Sequence, residues 1–203
     1  MKQTPFFIVF EGIDGSGKST QCELLFRHVS SLGLAAVRLF EPTDGKWGQK
    51  IRKVLEGKVA ASPEEQLELF LRDRSYDVEK NIMPALKKNN IVIMDRYYYS
   101  NAAYQGAAGV PAEEVILKNR NMRVPEPDRV YCIDLPPYIA LQRIAQRNGR
   151  KDIFERGPFL DTVRNLFLSL ADDSFLVIDG RMKVEEIFEK IRSDFEGLIR
   201  AAQ

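Results

Sequence analysis

The chain has 203 residues, 44% of them hydrophobic and 29% charged, a balance that suits one sizeable core and excludes a disordered chain. A formal net charge of +1 excludes a polybasic surface for nucleic acid or anionic membrane, so any phosphate-binding charge must be local. Cys22, Cys132 and the lone His28 lack metal-ligand spacing, which argues against a zinc site or a histidine base and for a reducing, cytoplasmic setting.

The first apolar run, Phe6–Phe10, is too short to span a bilayer and reads as a strand. It leads into Gly12-Ile13-Asp14-Gly15-Ser16-Gly17-Lys18-Ser19, a match to G-x-x-x-x-G-K-[ST], with Thr20 next. A helix is predicted from near Lys18, with Gly33 suited to its C-terminal cap. Ala35–Phe40 follows as a second strand, and Glu41-Pro42-Thr43-Asp44-Gly45 as a loop. Another helix announces its start: Ser62 caps it, Pro63 fits its first position and Glu65 completes a capping box. On that helix Phe70 and Arg74 face the same side, one turn apart.

Ile91–Met94 is the third strand and ends in Asp95; Val130–Leu135 and Phe175–Ile178 are the fourth and fifth. All five runs are near-continuous rather than alternating, which predicts strands buried on both faces of a parallel sheet. Pro136 and Pro137 open a helix that runs into Arg143, Arg147, Arg150 and Lys151. The final helix carries Val184, Ile187, Phe188, Ile191, Phe195, Leu198 and Ile199 on one stripe. Strands alternating with helices, without repeat or linker, predict a single α/β domain over residues 1–203. The expected architecture is a three-layer P-loop NTPase fold, its five-stranded parallel sheet flanked by helices.

A strand before the glycine-rich segment and a helix after it give the motif its meaning. Glycines let the backbone wrap around phosphate oxygens, and the helix offers its positive end there. Gly12, Ile13, Asp14, Gly15, Ser16, Gly17, Lys18, Ser19 and Thr20 are therefore the candidate ATP-binding residues. Lys18 would bridge the β- and γ-phosphates, and the Ser19 hydroxyl would ligate Mg²⁺. Asp95, a carboxylate at the C-terminal end of a strand, is the second candidate magnesium ligand; on its own it also reads as a cap. Phe70 and Arg74 leave two readings open: a plane and a donor for a pyrimidine, or a core Phe beside a surface Arg. The cationic run also leaves two, a solvated helix face or a lid over phosphates.

Asp95-Arg96-Tyr97, followed by Ser100-Asn101-Ala102-Ala103-Tyr104-Gln105-Gly106, resembles the signature of thymidylate kinases. Phe10-Glu11-Gly12-Ile13-Asp14, Pro127-Asp128 and the arginine-rich segment after the fourth strand resemble that family too, and the likeness runs from Phe6 to about Gly180. The resemblance implies transfer of the ATP γ-phosphoryl group to dTMP, with Mg²⁺ as cofactor, in a homodimer. It implies that Phe70 stacks on thymine, that Arg74 and Asn101 reach the base edges, and that Tyr104 packs on the deoxyribose. Gln105 joins this substrate group. Asp14 would bind the sugar 3′-hydroxyl, and Arg96 would hold the acceptor phosphate.

In this family the arginine for the transferring phosphoryl comes from the phosphate loop or from a lid. Gly15 follows Asp14 here, so the resemblance assigns the task to a lid at about 143–156, with Arg147 and Arg150 as catalytic candidates and Arg143 against the adenine. Two departures stand out. Thr43-Asp44 replaces a glycine pair frequent in the family, and Asp152–Glu155 lies where relatives often carry another arginine. Two rival readings share the phosphate loop. A deoxynucleoside kinase would need a base, and Glu11 is the residue placed to serve. A nucleotide-hydrolysing switch is the other, although the guanine motif Asn-Lys-x-Asp of GTPases is absent.

Overall fold

The computed structural model describes residues 4–88, 90–148 and 157–202, the side chains of residues 147 and 148 excepted. Five strands, β1 (Phe6–Glu11), β2 (Ala36–Phe40), β3 (Ile91–Asp95), β4 (Arg129–Asp134) and β5 (Phe175–Asp179), form one parallel sheet in the order β2-β3-β1-β4-β5. The helices, in chain order, are α1 (Lys18–Ser31), α2 (Lys46–Leu55), α3 (Pro63–Asp77), α4 (Met83–Lys87) and α5 (Tyr98–Ala107). After them come α6 (Ala112–Asn121), α7 (Pro137–Asn148), α8 (Gly157–Ser169) and α9 (Val184–Ala201). A π-helical turn, Val78–Ile82, joins α3 to α4. Among the described residues no helix is long and apolar enough to cross a membrane.

Continuous apolar runs arise because successive side chains of the central strands enter different cores. Ile8 and Phe10 of β1 join Cys22, Leu25 and Val29 of α1 and Ile187, Ile191 and Phe195 of α9. Phe7 and Val9 point the other way, into a core with Tyr97, Tyr98, Tyr99, Ala103, Val163 and Phe167. That is the expected three-layer arrangement. The prediction of burial on both faces fails for the two edge strands: Phe40 of β2 is 47% exposed and Val177 of β5 is 43% exposed. An edge strand has a neighbour on one side only, and the flanking helices do not reach over it. The apolar stripe of α9 has one exception too. Val184, 45% exposed, faces the cavity described below rather than the core.

Several local signals map directly onto structure. The Ser62 hydroxyl accepts from Glu65 N (3.2 Å) while Ser62 N donates to Glu65 Oε2 (2.7 Å), the reciprocal box expected at the start of α3. Beyond α1, Gly33 adopts a φ of +72° and Leu34 N donates back to Val29 O, closing the helix. Asp128 explains its place before β4: its carboxylate accepts from Phe7 N (2.7 Å) and its own N–H donates to Phe7 O (2.8 Å), which sets the start of β4 against β1. The tyrosine run was expected to hold at least one packing residue, and all three are buried. Tyr97 meets Phe7 edge-on and Tyr99 meets Phe175 edge-on, so α5 is seated on the sheet.

Candidate active site

Parallel register brings the C-terminal ends of β1, β3 and β2 level, with Phe10 opposite Asp95 and Asp95 opposite Phe40. One step on, Arg96 N donates to Phe10 O (3.0 Å) and Glu41 N to Asp95 O (3.2 Å). Glu11, Arg96 and Glu41 therefore leave the sheet side by side. Loops at this edge enclose a cavity of about 690 Å³, lined by residues 14–21, Glu41, Asp95, Arg96 and Arg143 among others. That size and position suit a nucleotide-sized ligand at the carboxyl end of a parallel sheet.

The donor side is one continuous stretch of chain. Gly12 has a φ of +135°, and a Cβ there would lie 2.5 Å from Ile133 O, so only glycine lets the loop turn off β1 so close to β4. The N-terminus of α1 has neither a side-chain cap nor an acidic residue in its first turn. Its first N–H groups therefore keep their positive field for an anion. Ser16 Oγ is buried and has no partner among the described residues. Lys18 Nζ donates to Ile13 O (2.9 Å) in a buried setting; burial first, and then the Arg96 charge, bring its ammonium down to about 8. An orphaned hydroxyl, an open helix end and a desolvated ammonium all fit a phosphate chain.

Ser19 and Thr20 are exposed at the cavity wall, and Asp95 is half-buried there. Among the described residues no group of three or more His, Cys, Asp or Glu gathers as a metal cluster. One hydroxyl and one carboxylate are the sparse oxygen set that Mg²⁺ accepts when phosphates complete its shell. Arg143, expected on the adenine, donates from Nη1 to Ser16 O (3.3 Å) and from Nη2 to Gly180 O (2.9 Å). It thus ties the phosphate loop to the turn after β5. Of the lid expectation, residues 149–156 with Arg150, and the side chain of Arg147, lie outside the described residues.

The opposite wall is assembled from separate elements. Arg96 has a φ of +70°, unusual for a branched-out side chain, and its guanidinium donates to Asp14 Oδ1 (2.5 Å) and Ser100 Oγ (2.8 Å). Its face lies 5.3 Å from the Tyr104 ring centroid, and the Tyr104 hydroxyl accepts from Asp14 N (3.1 Å). The Arg96 charge holds the Asp14 carboxyl down at about 2. Glu11 is fully buried and accepts from Tyr97 N (2.8 Å), Ser100 N (3.1 Å) and Ser100 Oγ (2.5 Å), while burial raises its pKa. It caps α5. The expectation that Glu11 could serve a rival enzyme as base is corrected here, because both its oxygens are engaged in holding that helix.

The reading of a core Phe beside a surface Arg fails for Arg74. Phe70 is half-buried among Ile51, Val54, Leu55, Gln66 and Leu69 and is not part of the 690 Å³ cavity wall. Arg74 is no surface residue: it is 1% exposed. Its Nη1 donates to Asn119 Oδ1 (2.7 Å), its Nη2 to Glu41 Oε2, and its face lies over Tyr97. Burial pushes the Glu41 carboxyl up to about 8 against the pull of Arg74. Asn101 donates to Gln105 Oε1 (2.6 Å), its own Oδ1 staying buried without a partner among the described residues, and Gln105 reaches Gln66 Oε1 (3.5 Å).

The Thr43-Asp44 departure gains a partner set that sequence reasoning missed. Thr43 donates from N and Oγ1 to the two oxygens of buried Asp73 (2.7 and 2.6 Å), and Arg52 donates to Pro42 O and Thr43 O. Gly48, inside α2, lies so close that a Cβ would stand 1.8 Å from Thr43 O. A glycine within a helical run was the available signal, since it is costly there unless another backbone needs the room. Nothing local in the sequence pointed to Asp73, Arg52 or Asn119.

Known proteins resemble this chain over nearly its whole length. A family model described as Thymidylate kinase matches residues 10–191. "Thymidylate kinase" of Leptospira interrogans serogroup Icterohaemorrhagiae serovar copenhageni is 39% identical over 186 residues, covering 92% of this chain and 91% of that protein. "Probable thymidylate kinase" of Archaeoglobus fulgidus is 40% identical over 193 residues, 95% of each chain. "Thymidylate kinase" of Akkermansia muciniphila is 41% identical over 186 residues, 91% of this chain and 88% of that one.

Proposed function

This chain belongs to the thymidylate kinase family, and on that premise we propose that it transfers the γ-phosphoryl group of ATP to the 5′-phosphate of dTMP, giving dTDP and ADP. One observation carries the reading at the level of residues: a single cavity is lined by the phosphate loop with Lys18 and by Glu41, Asp95 and Arg96 from the ends of two other strands. Donor and acceptor phosphates can then meet without either leaving the protein.

An acceptor phosphate oxygen attacks the γ-phosphorus in line as the bond to the departing ADP oxygen breaks. The attacking group is already an anion near neutral pH, so no base is required, in keeping with the engagement of Glu11 in capping α5. Catalysis then rests on alignment and on charge placed where the transferring group develops it. Gly12, Ile13, Asp14, Gly15, Ser16, Gly17 and Thr20 offer backbone donors to the donor phosphates, and Lys18 spans β and γ. Arg96 presents a fork to the acceptor phosphate, and Asp14 takes the 3′-hydroxyl. Ser19 and Asp95 would hold Mg²⁺, which supplies charge neutralisation along the phosphates. Phe70, Arg74, Asn101, Tyr104 and Gln105 form the thymidine side and Arg143 the adenine side, with Arg147 and Arg150 the candidates for the charge on the transferring group. A homodimer in the cytoplasm completes the reading.

The test is an ADP-release assay with ATP, Mg²⁺ and a panel of dTMP, dUMP, dCMP and thymidine. Preference for dTMP is expected. Failure to turn over any monophosphate sinks the proposal, and preference for thymidine moves the protein to the nucleoside kinases.

A further inference from the structure

Arg74 is a buried cation held from three elements. Glu41 reaches it from the end of β2, Asn119 from α6, and the Tyr97 ring from the start of α5 lies 5.2 Å from its Cζ. Asn119 is itself 0% exposed, on a helix whose neighbouring inward residues, Ala112 and Val115, are apolar. A leucine there would suit the apolar neighbours but would leave the buried Arg74 Nη1 without an acceptor. The amide is oriented without ambiguity: Nδ2 donates to Val115 O (2.7 Å), one turn back, which turns Oδ1 toward Arg74 Nη1 (2.7 Å). Arg74 Nε remains buried with no partner among the described residues, and so does Glu41 Oε1. A guanidinium clamped at both terminal nitrogens with an N–H left over is set to offer that donor to an incoming acceptor atom.

We propose that Asn119 is a positioning residue that fixes the rotation of the Arg74 guanidinium and so sets the preference for a thymine over a cytosine acceptor. The inference rests on the reading of the protein as a dTMP kinase. Thymine presents a ring carbonyl where cytosine presents an amino group, so a fixed N–H donor favours the first and repels the second. Asn119 touches no substrate; it acts through Arg74. Without it, Nη1 loses its acceptor and the planar group rotates about its last bonds, since Glu41 alone holds one corner.

The experiment compares wild type, Asn119→Leu and Asn119→Asp, reading KM and kcat for dTMP and dCMP, KM for ATP, and Tm. Asn119→Leu is expected to raise the dTMP KM about 10–100-fold, the worth of one hydrogen bond to a charged group. It should narrow the dTMP-to-dCMP ratio of kcat/KM, with the ATP KM within about twofold. Asn119→Asp keeps an acceptor for Nη1 and should restore most of the dTMP preference. A folded Asn119→Leu protein with an unchanged dTMP-to-dCMP ratio overturns the proposal, whatever its Tm, because a purely structural role moves stability and not base choice. If Asn119→Leu fails to fold, Asn119→Ser takes its place under the same criterion. Loss of preference in Asn119→Asp equal to that in Asn119→Leu also overturns it. Wild type that ignores dTMP in the same assay overturns the underlying reading instead, so the two failures are told apart.

Discussion

The two walls of the cavity are made in different ways. Residues 14–20 form the donor wall in one stretch of chain from the phosphate loop into the first turn of α1, and nearly every group there is backbone or a side chain of the same segment. The acceptor wall draws Glu41 from the end of β2 and Arg96 from the end of β3, with Arg74 of α3 and Tyr104 of α5 behind them, each with a partner on another element. A contiguous nest is specified by local backbone conformation. A dispersed site needs a second set of residues, such as Asp73, Asn119 and Glu11, whose task is to hold the first. Damage to the donor wall should therefore read out directly in chemistry, and damage to the acceptor wall should read out in binding and stability together.

The largest effect belongs to the donor wall. Lys18→Ala removes the buried ammonium at the phosphate loop and should lower kcat/KM by about 30- to 1,000-fold, or ~2–4 kcal/mol of transition-state stabilisation. Steady-state kinetics at saturating dTMP decides it; a loss under threefold would mean the nest is not the donor site. The acceptor counterpart is Gly48→Ala. Its new Cβ would stand 1.8 Å from Thr43 O, a backbone atom that cannot rotate away, so the loop held by Asp73 must shift. Overpacking of this kind costs about 1–3 kcal/mol. The expected signature is a lower Tm and a raised dTMP KM with an unchanged ATP KM. Equal damage to both KM values would erase the distinction between the walls.

A pH series separates the walls more finely. In the free protein the Lys18 ammonium titrates at about 8, lowered first by burial. Phosphates bound beside it raise its pKa, so binding takes up a proton once the free form has lost one. Affinity for ATP is thus full well below pH 8 and falls as the pH rises through it: the dissociation constant about doubles by pH 8 and then climbs toward tenfold per unit. Asp14, held at about 2, stays charged through this range and contributes no such slope. ATP titrations from pH 7 to 9.5 should show the rise in wild type and not in Lys18→Arg, whose guanidinium keeps its proton. A flat wild-type profile would remove Lys18 from contact with the phosphates.

Sequence patterns conveyed the fold and the donor wall because both depend on short-range rules. Five apolar runs became the five strands with no end moved by more than one residue, and the capping box at Ser62 and Glu65 formed as written. Exposure of Phe40 and Val177 was illegible, since a central and an edge strand differ in their neighbours and not in their own residues. The acceptor wall was half legible. Residue types such as Arg74 and Asn101 were visible, but their partners were not, because Asn119 lies 45 positions from Arg74 and Glu41 lies 33 positions from it. That is why Arg74 read as either a base contact or a surface cation, of which its burial excludes the second. Glu11 misled in the opposite sense: a carboxylate next to the phosphate loop has the look of a base until the ends of Tyr97 and Ser100 are found on it.

The smallest predicted effect tests whether support for the acceptor wall is local. Ser62→Ala deletes the acceptor for Glu65 N at the start of α3, a loss of about 1 kcal/mol, or roughly 2–4 °C in Tm for a chain of this size. Arg74 lies twelve residues further along the same helix, roughly 18 Å by helical rise. If Glu41, Asn119 and Tyr97 hold Arg74 where it stands, fraying of the first turn will not reach it, and the dTMP KM should stay within about 1.5-fold of wild type. A dTMP KM that climbs in step with the lost stability would show α3 acting as a stiff lever instead. The clamp around Arg74 would then be secondary to the seating of the whole helix, and Asn119 would owe its burial to packing.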